Sequence, residues 1–165
     1  TRTMQYDRIF SLIRFSLGGI FLWAFFDKLL GLGFSTPAAK SVVFAAGSPT
    51  IGFLSSTTGF FSPVFHWMAG NGVVDFLFMA GLFCIGLSLI LGIGLRIAAM
   101  SGALMMFLMW LAAFPSKSNP LLDSHIVYLL IFLALGRTPE LFVSNTGLRK
   151  MWLENPVVQK YPILA

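Results

Sequence analysis

The sequence predicts an all-α polytopic membrane protein, a four-helix bundle with short interfacial helices in its first outer loop and its C-terminal tail. The chain of 165 residues is 57% hydrophobic and 10% charged, whereas a soluble domain carries roughly 25% charge. Four apolar segments approach the about 20 residues with which a helix crosses a bilayer. Proline and glycine residues lie between these segments, where helices begin and end.

The four segments define a membrane domain, residues 1–137, followed by a tail, residues 138–165. The predicted spans are about 9–31, 73–94, 97–115 and 121–136, with an outer loop at 32–72. The first segment has no small-residue cleavage motif, and its apolar run exceeds the roughly 7 to 15 residues of a signal peptide. We therefore expect a retained first span and a multi-pass protein of the cell membrane, with the lipid bilayer as its surroundings.

The outer loop is too apolar for a simple linker and is predicted to contain two or more short helices. Thr36-Pro37 and Ser62-Pro63 are typical of a capping residue followed by proline at the first helical position. Gly47 and Gly70 are typical helix stops. The aromatic residues of the loop are expected to anchor it in the outer interface or to fold it as a lid over the bundle.

Short connections predict antiparallel hairpins for the later spans. LGIGLR at 91–96 joins the second and third spans, and Asn119-Pro120 opens the fourth. Thr138-Pro139 begins a helix in the tail. In a later tail helix Leu148, Met151 and Trp152 share one face, opposite Arg149 and Lys150. Such a helix is expected to lie on the inner leaflet.

The distribution of basic residues predicts the orientation. A net charge of +5 would suggest a nucleic-acid partner in a soluble protein, but in a membrane protein the side that holds the charge is informative, and no nucleic acid is expected. With a cytoplasmic N-terminus, eight basic residues face the cytoplasm and three face outward: Arg2, Arg8, Arg14, Arg96, Arg137, Arg149, Lys150 and Lys160 against Lys28, Lys40 and Lys117. Both termini are therefore predicted to be cytoplasmic.

Redox and metal chemistry have few candidate ligands in this chain. Cys84 is the only cysteine, so an intramolecular disulfide relay is excluded. Cys84 belongs to a stripe of small residues that predicts close packing against another helix. The two histidines are far apart in sequence and make a poor metal site. No flavin, haem or iron-sulfur motif is evident, and no metal is predicted.

Charged residues at the outer ends of the spans predict a shared polar site. Asp27 and Lys28 are adjacent and point about 100° apart on a helix, so their partners lie elsewhere. Asp75, Asp123 and His125 begin other spans at similar depth. We expect a direct Lys28–Asp75 pair and a functional pocket that also includes Tyr128. Asp123 fits a helix cap equally well, and a lone histidine is often simply packed.

Arg14 is the other charge within a span. It precedes Lys28 by fourteen residues, which places it roughly 21 Å away along the helix and about 40° around it. No acidic residue lies in the inner halves of the other spans, so Arg14 requires carbonyls, water, a lipid phosphate or a ligand, or it extends to the inner-leaflet phosphates. Arg14, Tyr128 and Trp110 are the predicted cofactor-binding residues.

Three stretches, together covering roughly residues 8–136, resemble the DoxX-like family of membrane proteins. LIRFSLGGIFLWAFFDKLLG is similar to the family's first span, with Arg14, Gly18 or Gly19, and Lys28 at recurring positions. DFLFMAGLFCIGLSLILGIGLRIAAMSGALMM resembles its central hairpin, from an acidic residue to Arg96. DSHIVYLL is similar to the fourth span, with His125 in place. The long first loop resembles the DoxD branch.

Two features depart from the family pattern. Asp75 stands where glutamate is common, and the tail from Thr138 has no counterpart. The shorter aspartate reduces the reach toward Lys28.

The resemblance implies the membrane subunit of a thiosulfate:quinone oxidoreductase, with quinone as the cofactor. Lys28, Asp75, Asp123 and His125 are then the catalytic residues: Lys28, His125 or Tyr128 hydrogen-bonds the quinone oxygens, and Asp75 or Asp123 exchanges protons. Electron transfer then requires direct contact between substrate and quinone or a partner subunit. The expected partners are a second oxidoreductase subunit or further copies of the chain in a homo-oligomer.

The alternative is a non-catalytic membrane module, an assembly subunit or a carrier of lipids or small molecules. A channel is disfavoured because too few polar residues follow the length of any span.

Overall fold

In a computed structural model of the protein, residues 2–115, 119, 121–144 and 147–164 are described, with side chains from residue 8 onward. All regular structure in these residues is helical, as predicted. The helices in chain order are α1 (Arg2–Leu30), α2 (Val42–Ala45), α3 (Ile51–Ser55), α4 (Ser62–Met68), α5 (Gly72–Leu91), α6 (Leu95–Ala113), α7 (Ser124–Arg137), α8 (Pro139–Phe142), α9 (Gly147–Leu153) and α10 (Pro156–Lys160), with 3₁₀ turns at Ala38–Lys40 and Pro162–Leu164.

Three helices in the described part of the chain are long and apolar enough to cross a membrane. They are Arg8–Leu30 of α1, with 23 residues, α5 with 20 and α6 with 19. These helices confirm three of the predicted spans and indicate a membrane protein in a bilayer. The remaining apolar helix, α7, has 14 residues, about 21 Å of helix.

The fourth predicted span, 121–136, begins later than expected. Asn119 Oδ1 accepts hydrogen bonds from the N–H groups of Leu121 and Leu122 in a turn. Asp123 then caps α7 by accepting from His125 N–H at 3.0 Å and Ile126 N–H at 3.3 Å. The prediction that Asn119-Pro120 opens the helix is therefore wrong at Asn119, and Pro120 lies outside the described residues.

The four longest helices share one apolar core. α1 packs along α5, α5 packs on α6, and α6 packs along α7. The rings of Phe21 in α1 and Phe132 in α7 meet edge to face at 5.4 Å. Leu89 of α5 and Leu95 of α6 are fully buried in the same core. Because these helices pack side by side, the polar residues at their ends lie at the two ends of the shared core.

Two glycines permit the closest helix contacts. A Cβ on Gly86 would lie 2.8 Å from Leu22 Cγ and 3.0 Å from Leu22 N, so α5 meets the backbone of α1 there. A Cβ on Gly102 of α6 would collide with the Phe132 ring. Cys84 is exposed, so its predicted packing role is wrong. The close contact is made from another face of α5.

The outer loop contains the predicted short helices, with shifted starts. Pro37 rather than Thr36 caps the 3₁₀ turn, and Phe61 rather than Ser62 precedes α4. Ala46 rather than Gly47 ends α2, while Gly70 follows α4 with φ +71 as a helix stop. Leu54 and Phe65 are buried against Ala112 at the end of α6, which anchors the loop.

The tail contributes to the core as well as to the surface. Phe142 of α8 is only 2% exposed and packs on Phe10 at 5.0 Å. In α9, Leu148 and Met151 are exposed, whereas Arg149 is only 6% exposed. Arg149 Nη1 donates to Gly92 O at 3.3 Å. The predicted outward orientation of Arg149 is therefore wrong, because the carbonyl at the α5–α6 turn attracts it inward.

Candidate functional site

Asp27 organises the turn after α1. Its carboxylate is 1% exposed and accepts hydrogen bonds from Phe34 N–H at 3.2 Å, Ser35 N–H at 3.0 Å and Ser35 Oγ at 2.6 Å. Three donors satisfy a buried carboxylate without a salt bridge. An acidic residue at the end of α1 therefore closes the loop that follows.

Lys28 and Asp75 have separate partners. Lys28 Nζ donates to Ser35 Oγ at 3.4 Å. Asp75 accepts from Ser48 Oγ at 2.9 Å and from Thr50 Oγ1. The predicted Lys28–Asp75 pair is wrong, because hydroxyl groups of the outer loop lie over the start of α5 and occupy the short aspartate.

Asp123 and His125 form an ion-pair geometry at the start of α7. His125 Nδ1 lies 2.7 Å from Asp123 Oδ2, and the two side chains are 21% and 10% exposed. Burial favours a higher pKa for the Asp123 carboxyl, but the hydrogen bond and charge of His125, with two backbone N–H groups, hold that pKa below its ordinary value. Asp123 is therefore a carboxylate that accepts the Nδ1 proton.

This contact orients the His125 ring. A carboxylate only accepts hydrogen bonds, so Nδ1 carries a proton and Nε2 is the second polar atom of the ring. No hydrogen bond to Nε2 occurs among the residues that the structure describes. A histidine held in this way can accept a hydrogen bond at Nε2 when neutral and donate a proton there when charged.

An apolar groove of about 270 Å³ lies between α1 and α7. One face of α1 and two residues of α7 line it: Ile9, Leu12, Ile13, Ser16, Leu17, Ile20, Tyr128 and Ile131. Tyr128 is three residues after His125, which is about 4.5 Å along the helix and on a neighbouring face. Tyr128 is therefore the lining residue nearest to His125 along the chain, and His125 itself does not line the groove.

The other two predicted cofactor-binding residues make contacts within the chain. Trp110 Nε1 donates to Leu121 O at 3.1 Å, and its ring packs on Phe107 and Phe114. This contact uses the only donor of the indole. Trp110 thus holds the connection that leads from α6 toward α7.

Arg14 is 5% exposed and bonds to backbone carbonyls. Nε donates to Phe142 O at 3.1 Å, and Nη1 donates to Leu89 O and to Ile90 O, the latter at 3.2 Å. The last carbonyls of α5 have no partner within their own helix and lie at the negative end of its dipole. Of the partners expected for Arg14, carbonyls are the ones it uses, so it links α1, α5 and α8.

The predicted polar cluster is thus divided. Asp123, His125 and Tyr128 lie together on α7, whereas Lys28 and Asp75 each bond to the outer loop. Within the described residues, no hydrogen bond or ion pair joins Asp123, His125 or Tyr128 to Lys28 or Asp75. No set of three or more described His, Cys, Asp or Glu side chains is arranged to hold a metal.

Sequence reasoning missed Arg149 as a buried cation. Helical spacing placed Arg149 beside Lys150 on the face opposite the apolar residues of α9, so it gave no signal that the Arg149 side chain is buried. Only the position of the Gly92 carbonyl explains it.

Comparison of the chain with protein-family models, with curated proteins and with solved structures finds no match. The resemblance to DoxX-like proteins stays a prediction based on the three stretches of sequence given above.

Proposed function

We propose that this chain is a DoxX-like membrane subunit of a quinone-linked oxidoreductase of the thiosulfate:quinone type. The observation that supports it best is the combination on α7 of an oriented His125 and, one turn away, Tyr128 at the edge of an apolar groove. A quinone has the same two parts, a polar ring with two oxygens and an apolar chain. Ligand sites commonly pair apolar walls with a few directed polar groups.

In this proposal the quinone ring lies near His125 and its chain lies in the groove between α1 and α7. His125 Nε2, when protonated, donates to a quinone oxygen, and Asp123 stabilises the imidazolium. Tyr128 supplies a second hydrogen bond. As a half-buried residue near the outer end, His125 recovers its proton from outside water.

Thiosulfate is the electron donor of the overall reaction, and quinone is the acceptor. Two thiosulfate ions each lose one electron and form a sulfur–sulfur bond, giving tetrathionate. The quinone gains the two electrons and two protons and becomes the quinol. The half-buried ammonium of Lys28 attracts the anion, and Asp75, which accepts hydrogen bonds from the loop hydroxyls, exchanges protons with outside water. Electrons pass by direct contact of thiosulfate with quinone or through a second subunit.

We further propose that α7 crosses the bilayer as a fourth span and that both termini are cytoplasmic. Its 14 residues are shorter than the roughly 30 Å hydrocarbon layer, which thins locally around short helices. The core contacts of Phe132 with α1 and α6 support this proposal, because they join α7 to two of the long helices. The excess of basic residues on one side favours the orientation.

The test is thiosulfate-dependent quinone reduction by the purified protein in lipid vesicles. Quinone absorbance is followed for the wild type, His125→Ala and Lys40→Ala, an exposed loop lysine that serves as the control. General acid catalysis contributes about 10²- to 10⁴-fold, so His125→Ala is expected to lose at least about 100-fold in rate while Lys40→Ala keeps the full rate. An unchanged rate in His125→Ala contradicts the assignment.

The second candidate is a non-catalytic membrane module, an assembly subunit or a carrier. The internal bonding of Asp27, Asp75 and Arg14 favours it, because these charges stabilise loops and helix ends rather than face a ligand. A protein that binds quinone but reduces none with thiosulfate, alone or with proteins that copurify, supports this candidate.

A further inference from the structure

We propose that the groove between α6 and α7 binds one anionic phospholipid, with its phosphate between Arg96 and Arg137 and an acyl chain along the groove. This site is separate from the groove between α1 and α7. It does not depend on the quinone proposal.

The groove has a volume of about 340 Å³ and is apolar except at one end. Its lining consists of Arg96, Ala99, Met100, Phe132, Leu133, Gly136, Arg137 and Ile163. Arg96 is in the first turn of α6 and Arg137 is the last residue of α7. Since the two helices are antiparallel, both guanidinium groups lie at the same end of the groove.

Arg96 has hydrogen-bonding capacity that the described protein does not use. Its Nε is buried and has no partner among the described residues. Its Nη1 makes only a long contact of 3.4 Å with Pro162 O. A buried donor without an acceptor is unfavourable, and phosphate oxygens accept from a guanidinium with matching geometry.

The surroundings of Arg96 carry excess positive charge. Burial lowers the pKa of Arg149; nearby Glu140 raises it, and the positive charge of Arg96 lowers it further. One carboxylate, that of Glu140, thus acts on Arg149 together with the guanidinium of Arg96. Among the described residues, no carboxylate lies in salt-bridge contact with Arg96 or Arg137. A bound anion offsets this repulsion.

A phospholipid fits these features better than a free anion. Met100 and Leu133 are exposed along the groove, so an apolar chain has surface to cover beyond the two cations. An anionic headgroup is favoured over a zwitterionic one, because the latter carries its own cation beside the phosphate. The two arginines lie on the side predicted to face the anionic inner leaflet.

The experiment is native mass spectrometry of the intact protein with phosphatidylglycerol and with phosphatidylcholine of the same acyl chains. The wild type is expected to retain one phosphatidylglycerol in preference to phosphatidylcholine. Each basic residue near a membrane surface contributes about 1 kcal/mol, roughly a fivefold change in affinity. The Arg96→Gln/Arg137→Gln variant is therefore expected to bind phosphatidylglycerol about 25-fold more weakly.

Three further variants keep the result interpretable. Lys150→Gln removes a tail charge that is paired with Glu154 and should bind like the wild type. Arg96→Lys/Arg137→Lys keeps the charges, so it is expected to retain most of the binding even if the glutamine variant is unfolded. Leu133→Trp fills the groove from its exposed side and should weaken binding with both arginines present.

Two results overturn the proposal. One is equal retention of phosphatidylglycerol by the wild type and by a folded glutamine variant. The other is displacement of the lipid by inorganic phosphate at equal concentration together with normal binding in Leu133→Trp, which identifies a free-anion site instead.

Discussion

Asp27, Asp75 and Asp123 each stabilise a different local segment. The first closes the turn after α1, the second holds the loop at Ser48 and Thr50, and the third caps α7. Arg14 does the same for the carbonyl ends of α5. At the level of single residues, these four charged side chains are satisfied by groups of the chain, whereas Arg96 Nε is buried without a hydrogen-bond partner among the described residues.

Because Lys28 and Asp75 have separate partners, their effects on stability should be independent. Lys28→Ala and Asp75→Ala are expected to change the free energy of unfolding additively, within about 0.5 kcal/mol. Asp75→Ala and Thr50→Val, which remove two groups in direct contact, should be non-additive and provide the control. The free energy of unfolding of all of these variants is measured in mixed micelles. If Lys28→Ala and Asp75→Ala are as non-additive as the control pair, the two residues interact directly and the separate partners are contradicted.

Side-chain hydrogen bonds hold α7 at both of its ends. Asp123 fixes its start, and Thr138, which bonds back to Ala134 O at 3.0 Å, fixes its end. Its centre contacts α1 through Phe132 and α6 at Gly102. The segment that carries His125 and Tyr128 is therefore held at both ends and in the middle.

The Asp123 cap should contribute stability in a pH-dependent way. Its pKa is lower in the folded protein than the about 3.9 of an unperturbed aspartate. Its contribution is therefore complete above that value and is lost as the pH falls through the folded pKa. Asp123→Ala is expected to cost about 1 kcal/mol.

The measurement compares unfolding of the wild type and Asp123→Ala at about pH 5 and about pH 2.5, on either side of the ordinary aspartate value. The difference should shrink at the lower pH. A difference that grows in acid would contradict the lowered pKa of Asp123.

The contact between α1 and α5 depends on Gly86. A methyl group there meets Leu22, including its backbone nitrogen, so Gly86→Ala should destabilise the protein by about 1 to 3 kcal/mol. Gly19→Ala is the matched control, since a Cβ at that position of α1 has no neighbour within 4 Å. Thermal unfolding in detergent should show a lower midpoint for Gly86→Ala alone; equal midpoints would place the helices farther apart.

Hydrophobic length was enough to predict α1, α5 and α6, and the proline and glycine positions predicted that the outer loop contains short helices but not where each begins. Side-chain partners were less predictable, because a charged residue at the end of a span has loop donors and other spans within reach. Asp75 illustrates this point, since only the folded loop brings Ser48 and Thr50 above it. The start of α7 was misplaced because Asn119 and Asp123 both accept from backbone N–H groups, and only the second caps a helix.

For the molecule as a whole, the orientation is the next prediction. Reporter fusions after Leu164 should be active in the cytoplasm, and fusions within the 32–72 loop should be active outside, because basic residues favour the cytoplasmic side. If the reporter after Leu164 is active outside, the C-terminal end is external and the predicted orientation is wrong. If the reporters after Leu164 and within the 32–72 loop are active on the same side of the membrane, the number of spans between them is even rather than odd.

The central claim is that quinone binds beside His125 in the groove between α1 and α7. Its most direct test is the dissociation constant of a short-chain quinone for the wild type, His125→Ala and Lys40→Ala. A hydrogen bond to a charged group contributes about 1.5 to 3 kcal/mol, so His125→Ala is expected to bind at least about tenfold more weakly while Lys40→Ala binds normally. Equal affinity in His125→Ala, or no binding to the wild type, would contradict the account.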